Sequence, residues 1–256
     1  MTDGEPPVEG QEPCAEVPPP VFLPPPVVRE PAWGYMELAL FVALAVPCML
    51  AGGFFGLGAV RAAAFLFPFH HRIPAIEPLV EQLCGDVILF TVLAIILRVQ
   101  CECPFWRSLG WRQFQIPFLW VMICGGTCAM TVAVLGSMMK IPDTNPMVEL
   151  MKDRSSALLM ACFGVTIAPL TEELAFRGFL QPLLVRSLGA VPGILLAALP
   201  FGLLHYHEYG NSWRHAVLIS LAGVGFGWMR HKSGSTAAST LMHASYNGLI
   251  FFAVFK

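Results

Sequence analysis

Seven long apolar segments, separated by short polar stretches, constrain this chain more than any other feature of its sequence. A helix needs about 20 apolar residues to cross a bilayer. Only 12% of the 256 residues are charged, against about 25% in ordinary soluble domains. The sequence therefore predicts an integral membrane protein, an all-α polytopic transmembrane helical bundle of about seven to eight spans. The segments are 36–60, 79–99, 116–139, 156–184, 191–209, 213–229 and 235–255.

The chain divides into three parts. Residues 1–33 are rich in proline and acidic residues, which predicts a disordered tail. Residues 34–155 contain the N-terminal transmembrane helices, and 156–256 contain every candidate site residue. The eight cysteines are scattered, mostly in apolar segments, and indicate no disulfide framework. The net charge is −2 and no basic patch of the kind that binds nucleic acid is evident, so we expect no nucleic acid as a partner. The apolar segments predict membrane lipid as a partner.

Three ionisable residues interrupt the fourth apolar segment: Glu172, Glu173 and Arg177. A charge at membrane depth costs on the order of 3 kcal/mol or more, so this cluster indicates a functional site. On a helix, Glu173 and Arg177 are i and i+4 and can form an ion pair, whereas Glu172 points elsewhere and stays available for proton chemistry. Pro169 predicts a kink or break just before the acids, with a half-helix that starts near Thr171.

Two later segments each add a histidine at membrane depth. Phe201 lies one helical turn before His205, and Asn247 lies one turn after His243. Together with Glu172 they supply the parts for activating water. The carboxylate is the candidate general base, a histidine orients the water or stabilises an oxyanion, and Asn247 is a hydrogen-bond donor. This combination favours hydrolysis.

These residues, in this order, resemble the CAAX-protease and bacteriocin-processing family of intramembrane proteases, which includes the Rce1-like prenyl-protein endopeptidases. The family pattern is EExxxR, FxxxH and HxxxN on successive helices. The resemblance implies a helical membrane fold that encloses an intramembrane catalytic cavity, with 156–256 as the protease core. It also implies an endopeptidase that cuts near the C-terminus or a membrane-proximal segment of its substrate. The matching residues are Glu172, Glu173, Arg177, Phe201, His205, His243 and Asn247.

The resemblance also implies a role for each residue. The catalytic residues are Glu172, His205, His243 and Asn247, and the supporting residues are Glu173, Arg177 and Phe201. Members of the family are often labelled metalloendopeptidases, and a zinc ion, if one takes part, would be held by Glu172, His205 and His243. The motifs do not demand a metal. The expected partner is a peptide or membrane-anchored protein substrate, and the expected location is the bacterial inner (plasma) membrane.

Other interpretations remain open at the level of sequence. A single intramembrane histidine or asparagine often forms only an interhelical hydrogen bond, which leaves a non-catalytic membrane scaffold or a bacteriocin immunity-type protein as an alternative. Carboxylates and histidines at membrane depth can also relay protons in a proton-coupled transporter, although no inverted repeat is evident. Glu81 and Asp86, near the start of the second segment, could line the same cavity, but we expect them at the membrane interface.

Overall fold

The computed structural model describes residues 31–67, 73–139, 141 and 145–255, and every regular element in these ranges is a helix. The predicted all-α class is therefore confirmed, whereas residues 1–30 of the predicted tail lie outside the described residues. The helices are α1 (Tyr35–Leu66), α2 (Ile76–Val99), α3 (Phe105–Ser108), α4 (Phe118–Met138), α5 (Pro146–Met151), α6 (Arg154–Val165), α7 (Ile167–Glu173), a π-helical segment (Leu174–Leu180), α8 (Gln181–Leu188), α9 (Ala190–Leu204), α10 (Trp213–Ser233) and α11 (Thr236–Val254).

Four helical stretches are long and apolar enough to cross a membrane: α1, α2, α4 and the combined stretch Arg154–Leu188. They present large apolar side chains outward, such as Phe54, which is 76% exposed. The predicted count of seven to eight spans is not confirmed. α9 has only 15 residues, and α10 and α11 are long enough but fall outside this set because of their composition. α10 and α11 carry polar and small residues among their apolar ones, whereas α9 is apolar but short.

The fourth predicted segment is a helix with one break and one change of helical type. The break lies at Thr166, whose φ of −121° and ψ of −74° are not helical. Pro169 is the third residue of the new helix α7, where a missing backbone N–H costs no hydrogen bond. The half-helix thus starts at Ile167, and the predicted start near Thr171 is wrong by about one turn. Thr171 instead donates its hydroxyl to the carbonyls of Ile167 and Ala168.

A π-helical segment follows the acid pair directly. In it the amide of Gln181 donates to the carbonyl of Phe176, five residues earlier. Such segments are rare, and they occur often at functional sites because the wider turn displaces a side chain from its α-helical position. Here the displaced turn contains Arg177, which is 1% exposed.

Helix α10 lies at the centre of the C-terminal half, where it packs against α4, α9 and α11. Small residues on α10 permit this packing. A Cβ atom added at Gly223 would lie 2.9 Å from Cδ1 of Phe201 and 3.0 Å from a guanidinium nitrogen of Arg177. The close approach of α10 therefore places its backbone directly against the side chains of the site.

The last residue of the predicted tail, Trp33, already packs against the helical bundle. Trp33 is 2% exposed, its ring stacks on Phe179 at 5.0 Å, and its indole nitrogen donates to the carbonyl of Phe179 at 3.0 Å. An aromatic side chain of this size stabilises the fold when it is buried with its N–H paired. The packed part of the chain thus begins before α1.

Candidate active site

Three parts of the chain bring one carboxylate and two imidazoles together. Glu172 lies near the end of α7, His205 directly follows α9, and His243 lies in the middle of α11. Oε1 of Glu172 is 4.0 Å from Nε2 of His205, and its Oε2 is 3.8 Å from Nε2 of His243. The convergence that the motif spacing predicts is therefore present.

Glu173 and Arg177 form the ion pair that their i, i+4 spacing predicts, with 3.0 Å between Oε1 and the guanidinium nitrogen. Arg177 also donates to the carbonyl of Gly223 at 2.9 Å, and its guanidinium lies 4.2 Å from the ring centroid of Phe201. Charge, hydrogen bonding and a cation–π contact together hold this arginine in place. The pair connects α7 and the π-helical segment to α9 and α10.

His243 is oriented by two contacts, one at the edge of its ring and one on its face. Its Nδ1 lies 3.1 Å from Oε1 of Glu173, and its ring stacks on Phe226 with centroids 4.3 Å apart. A carboxylate at Nδ1 fixes the proton on that nitrogen and the orientation of the ring. Because Arg177 shares the same carboxylate, Glu173 acts as a support, and only Nε2 of His243 faces Glu172.

His205 is held differently, and so its chemistry differs. Its Nδ1 lies 2.8 Å from the carbonyl of Phe201, one turn earlier. A carbonyl can only accept, so Nδ1 carries the proton and Nε2 of the neutral ring is left as an acceptor. The aromatic ring of Phe201 also contacts His205, with centroids 5.1 Å apart. Phe201 therefore supports His205 through both its backbone and its side chain.

A second carboxylate, Glu208, lies beside His205 and was not among the predicted site residues. Its Oε2 is 3.9 Å from Nε2 of His205. The pKa of Glu208 is raised above its usual value, mainly by partial burial. The charge of Glu172 raises it further, and His205 lowers it. The i, i+3 spacing from His205 was the sequence signal that could have identified it.

Asp86 was expected at the membrane interface, but it reaches the site from α2. Its carboxyl contacts the side chain of Thr171 and lies within electrostatic range of Glu172. Its Oδ2 is buried without a hydrogen-bond partner in the part of the chain that the structure describes. The site thus receives a polar group from the N-terminal half, where no motif is present.

Asn247 lies one turn after His243 on α11, as predicted. Its side-chain nitrogen donates to the carbonyl of Gly164 at 2.7 Å, which connects α11 to the end of α6. An amide nitrogen has two hydrogens, so this bond uses one donor and leaves one. The structure therefore gives Asn247 a packing role, and a role in stabilising an oxyanion depends on the second hydrogen.

A zinc site requires three or four ligand atoms that converge on one point. Among the described residues, no group of three or more His, Cys, Asp or Glu side chains has an arrangement that could hold a metal ion. The trio considered from the sequence, Glu172, His205 and His243, is not among such groups, and a zinc ion at this position stays a prediction. We assign no step of the chemistry to a metal.

The fold and the site together define a class: an integral membrane protein with a carboxylate–imidazole centre inside a helical bundle. Residues 154–249, less than half of the chain, match the family model described as Type II CAAX prenyl endopeptidase Rce1-like. The match confirms the resemblance that the motifs indicated, and at the family level it indicates a CAAX-protease-like intramembrane endopeptidase. It includes all three motifs and does not extend to α1–α5. No curated protein and no solved structure matches the chain.

Proposed function

We propose that this protein is an intramembrane endopeptidase in which Glu172 activates the water that attacks the peptide bond. The observation that carries the proposal is the position of Glu172 between two imidazoles, at 4.0 and 3.8 Å. These gaps are too long for direct hydrogen bonds, and a water molecule can bridge them. Because Glu173 is already paired with Arg177, Glu172 is the carboxylate left to take a proton.

The two histidines have different roles in the proposed reaction. His205 accepts one hydrogen of the water at Nε2 while Glu172 accepts the other, which directs a lone pair of the water oxygen at the scissile carbonyl carbon. Glu172 takes the proton as the new C–O bond forms, and the carbonyl oxygen becomes an oxyanion. His243, protonated and supported by Glu173, donates from Nε2 to this oxyanion, together with the second amide hydrogen of Asn247.

Collapse of the tetrahedral intermediate completes the reaction. The C–N bond breaks, and Glu172 returns its proton to the leaving nitrogen. The products are a carboxylic acid and an amine, and the proton of the acid passes to the amine, which gives a carboxylate and an ammonium group. The enzyme is restored to its starting protonation state.

An apolar cavity of about 450 Å³ lies close to the site. It supports the proposal that the bound segment of the substrate is apolar. It is lined by Trp106, Trp111, Thr166, Leu170 and Thr240. Leu170 is one helical turn from Glu173, and Thr240 is one turn from His243. We therefore propose a peptide or membrane-anchored protein as substrate, cut near its C-terminus or membrane-proximal segment. Residence in a bacterial inner membrane is part of the same proposal.

The test is proteolysis of a quenched fluorescent peptide library by the purified full chain in liposomes made with ¹⁸O-labelled water. We expect cleavage, with ¹⁸O in the new C-terminal carboxylate, and no cleavage by Glu172→Gln. Glu77→Gln is the matched control, because this glutamate lies in the first turn of α2 and is exposed. Folded wild-type protein that cleaves nothing would refute the proposal and favour a non-catalytic scaffold or immunity-type protein.

A further inference from the structure

A second cavity, of about 510 Å³, lies at the end of the bundle where α1 and α11 begin and α10 ends. Basic side chains dominate its polar lining, and no acidic residue is among the described residues that line it. The basic residues that line the cavity are Arg107, Arg112, Arg186, Arg230 and His231. A concave surface with several guanidinium groups and no carboxylate attracts an anion.

Two of these arginines are fixed by the fold. Arg186 donates to the backbone carbonyls of Pro31 and Trp33, and Nε of Arg230 donates to the hydroxyl of Thr236 at 3.0 Å. The contacts of Arg186 connect α8 to the segment before α1, and the contact of Arg230 connects the end of α10 to the start of α11. The basic lining is therefore preorganised, and a ligand does not need to order it.

The other two arginines are available to a ligand. Arg107 and Arg112 are exposed and form no ion pair with any residue that the structure describes. Arginine presents a planar fork of N–H donors that matches the oxygens of a phosphate group better than a point charge does. The cavity thus combines two fixed cations with two that can close on a phosphate.

Aromatic residues place this cavity at the level of lipid headgroups. Trp106, next to Arg107, is 51% exposed, and Trp228, two residues before Arg230, is 46% exposed. The amine of Lys232 lies 5.0 Å from the ring of Trp228. Exposed tryptophans beside basic residues are typical of the membrane–water interface.

From these observations we propose that the cavity lined by Arg107, Arg112, Arg186 and Arg230 binds the phosphate group of an anionic phospholipid. Basic pockets between membrane helices are a known way to recognise such headgroups. The inference does not depend on the proposed proteolysis, because none of these residues belongs to the carboxylate–imidazole site. A soluble phosphate ester has the same chemistry, and the experiment separates the two sources.

The experiment is native mass spectrometry of the full chain, delipidated in detergent and titrated separately with phosphatidylglycerol and phosphatidylcholine. We expect one phosphatidylglycerol to bind more tightly than phosphatidylcholine. Replacing both free arginines, Arg107→Gln with Arg112→Gln, should weaken phosphatidylglycerol binding by roughly 30-fold. Each basic residue near an anionic headgroup raises the affinity by a factor of about five, and the two factors multiply. Glycerol 3-phosphate is the competing soluble ligand.

A second double variant, Arg61→Gln with Arg154→Gln, is the matched control. It removes the same charge from exposed positions on α1 and α6 outside the cavity and should leave the affinity unchanged. Displacement of the lipid by millimolar glycerol 3-phosphate would identify a soluble ester as the ligand, and failure to displace it would identify the lipid. Equal binding of the two lipids, or equal loss in the two double variants, would overturn the proposal.

Discussion

The buried ion pair between Glu173 and Arg177 allows the effect of a substitution to be estimated from the structure. The two side chains are 0% and 1% exposed, and their charged atoms are 3.0 Å apart. Removing one partner of such a pair leaves an uncompensated buried charge, which costs about 3–5 kcal/mol. We expect Glu173→Gln and Arg177→Met each to lower the free energy of unfolding by about this amount. The double variant should recover a large part of the loss, because it leaves neither charge behind.

Recovery in the double variant should be incomplete. Arg177 also donates to the carbonyl of Gly223 at 2.9 Å and lies over the ring of Phe201 at 4.2 Å. A hydrogen bond to a charged group contributes about 1.5–3 kcal/mol, and methionine cannot replace it. The double variant should therefore remain less stable than the wild type by about 1–3 kcal/mol.

The assay is unfolding of the purified protein in mixed micelles, titrated with sodium dodecyl sulfate and followed by tryptophan fluorescence. Lys152→Gln is the control, because its pair with Glu149 is exposed, at 65% and 52%, and should change stability by less than about 1 kcal/mol. Single variants as stable as this control, or a double variant that loses the sum of both single effects, would refute the reasoning.

Two further predictions concern residues around the site. Glu208→Gln removes a negative charge 3.9 Å from Nε2 of His205, worth about 1 kcal/mol in a water-like dielectric. The acid limb of the pH–rate profile should therefore move to lower pH by up to about one unit. An unchanged profile would exclude an electrostatic interaction between Glu208 and His205. Gly223→Ala should destabilise by about 1–3 kcal/mol in the same micelle assay, because the new methyl group meets Phe201 at 2.9 Å. Gly225→Ala, with 3.4 Å to its nearest neighbour, should change stability little.

Helical periodicity was enough to predict much of the site. It placed Glu173 and Arg177 on one face of a helix, left Glu172 free, and indicated that His205 and His243 lie near Glu172. Each of these inferences depends only on which side chains share a face of a helix, and that relation survives moderate errors in helix boundaries.

Local backbone geometry was less accessible. Pro169 correctly indicated a break, but the position of the break depends on which residue leaves the helical region. A helix tolerates proline at several positions in its first turn, so the proline alone does not locate the break. The π-helical turn at Arg177 depends on a backbone hydrogen bond between residues five apart, and no residue type specifies this bond.

The span count and the contribution of Asp86 depended on packing between distant helices. α9 to α11 are short or rich in polar and small residues, so they do not meet the length and composition that four other stretches meet, and the predicted count is not confirmed. Asp86 lies in an N-terminal helix without any motif, and only the packing of α2 against the C-terminal half brings it close to Glu172.

The most direct test of the central claim is the single-turnover rate of Glu172→Gln on a peptide that the wild type cleaves, measured in the same liposomes. Glutamine keeps the size of the side chain but cannot take a proton, so the rate should fall by about 10²–10⁴-fold while stability stays close to that of the wild type. A rate within about tenfold of the wild type would contradict the assignment of Glu172 as the general base.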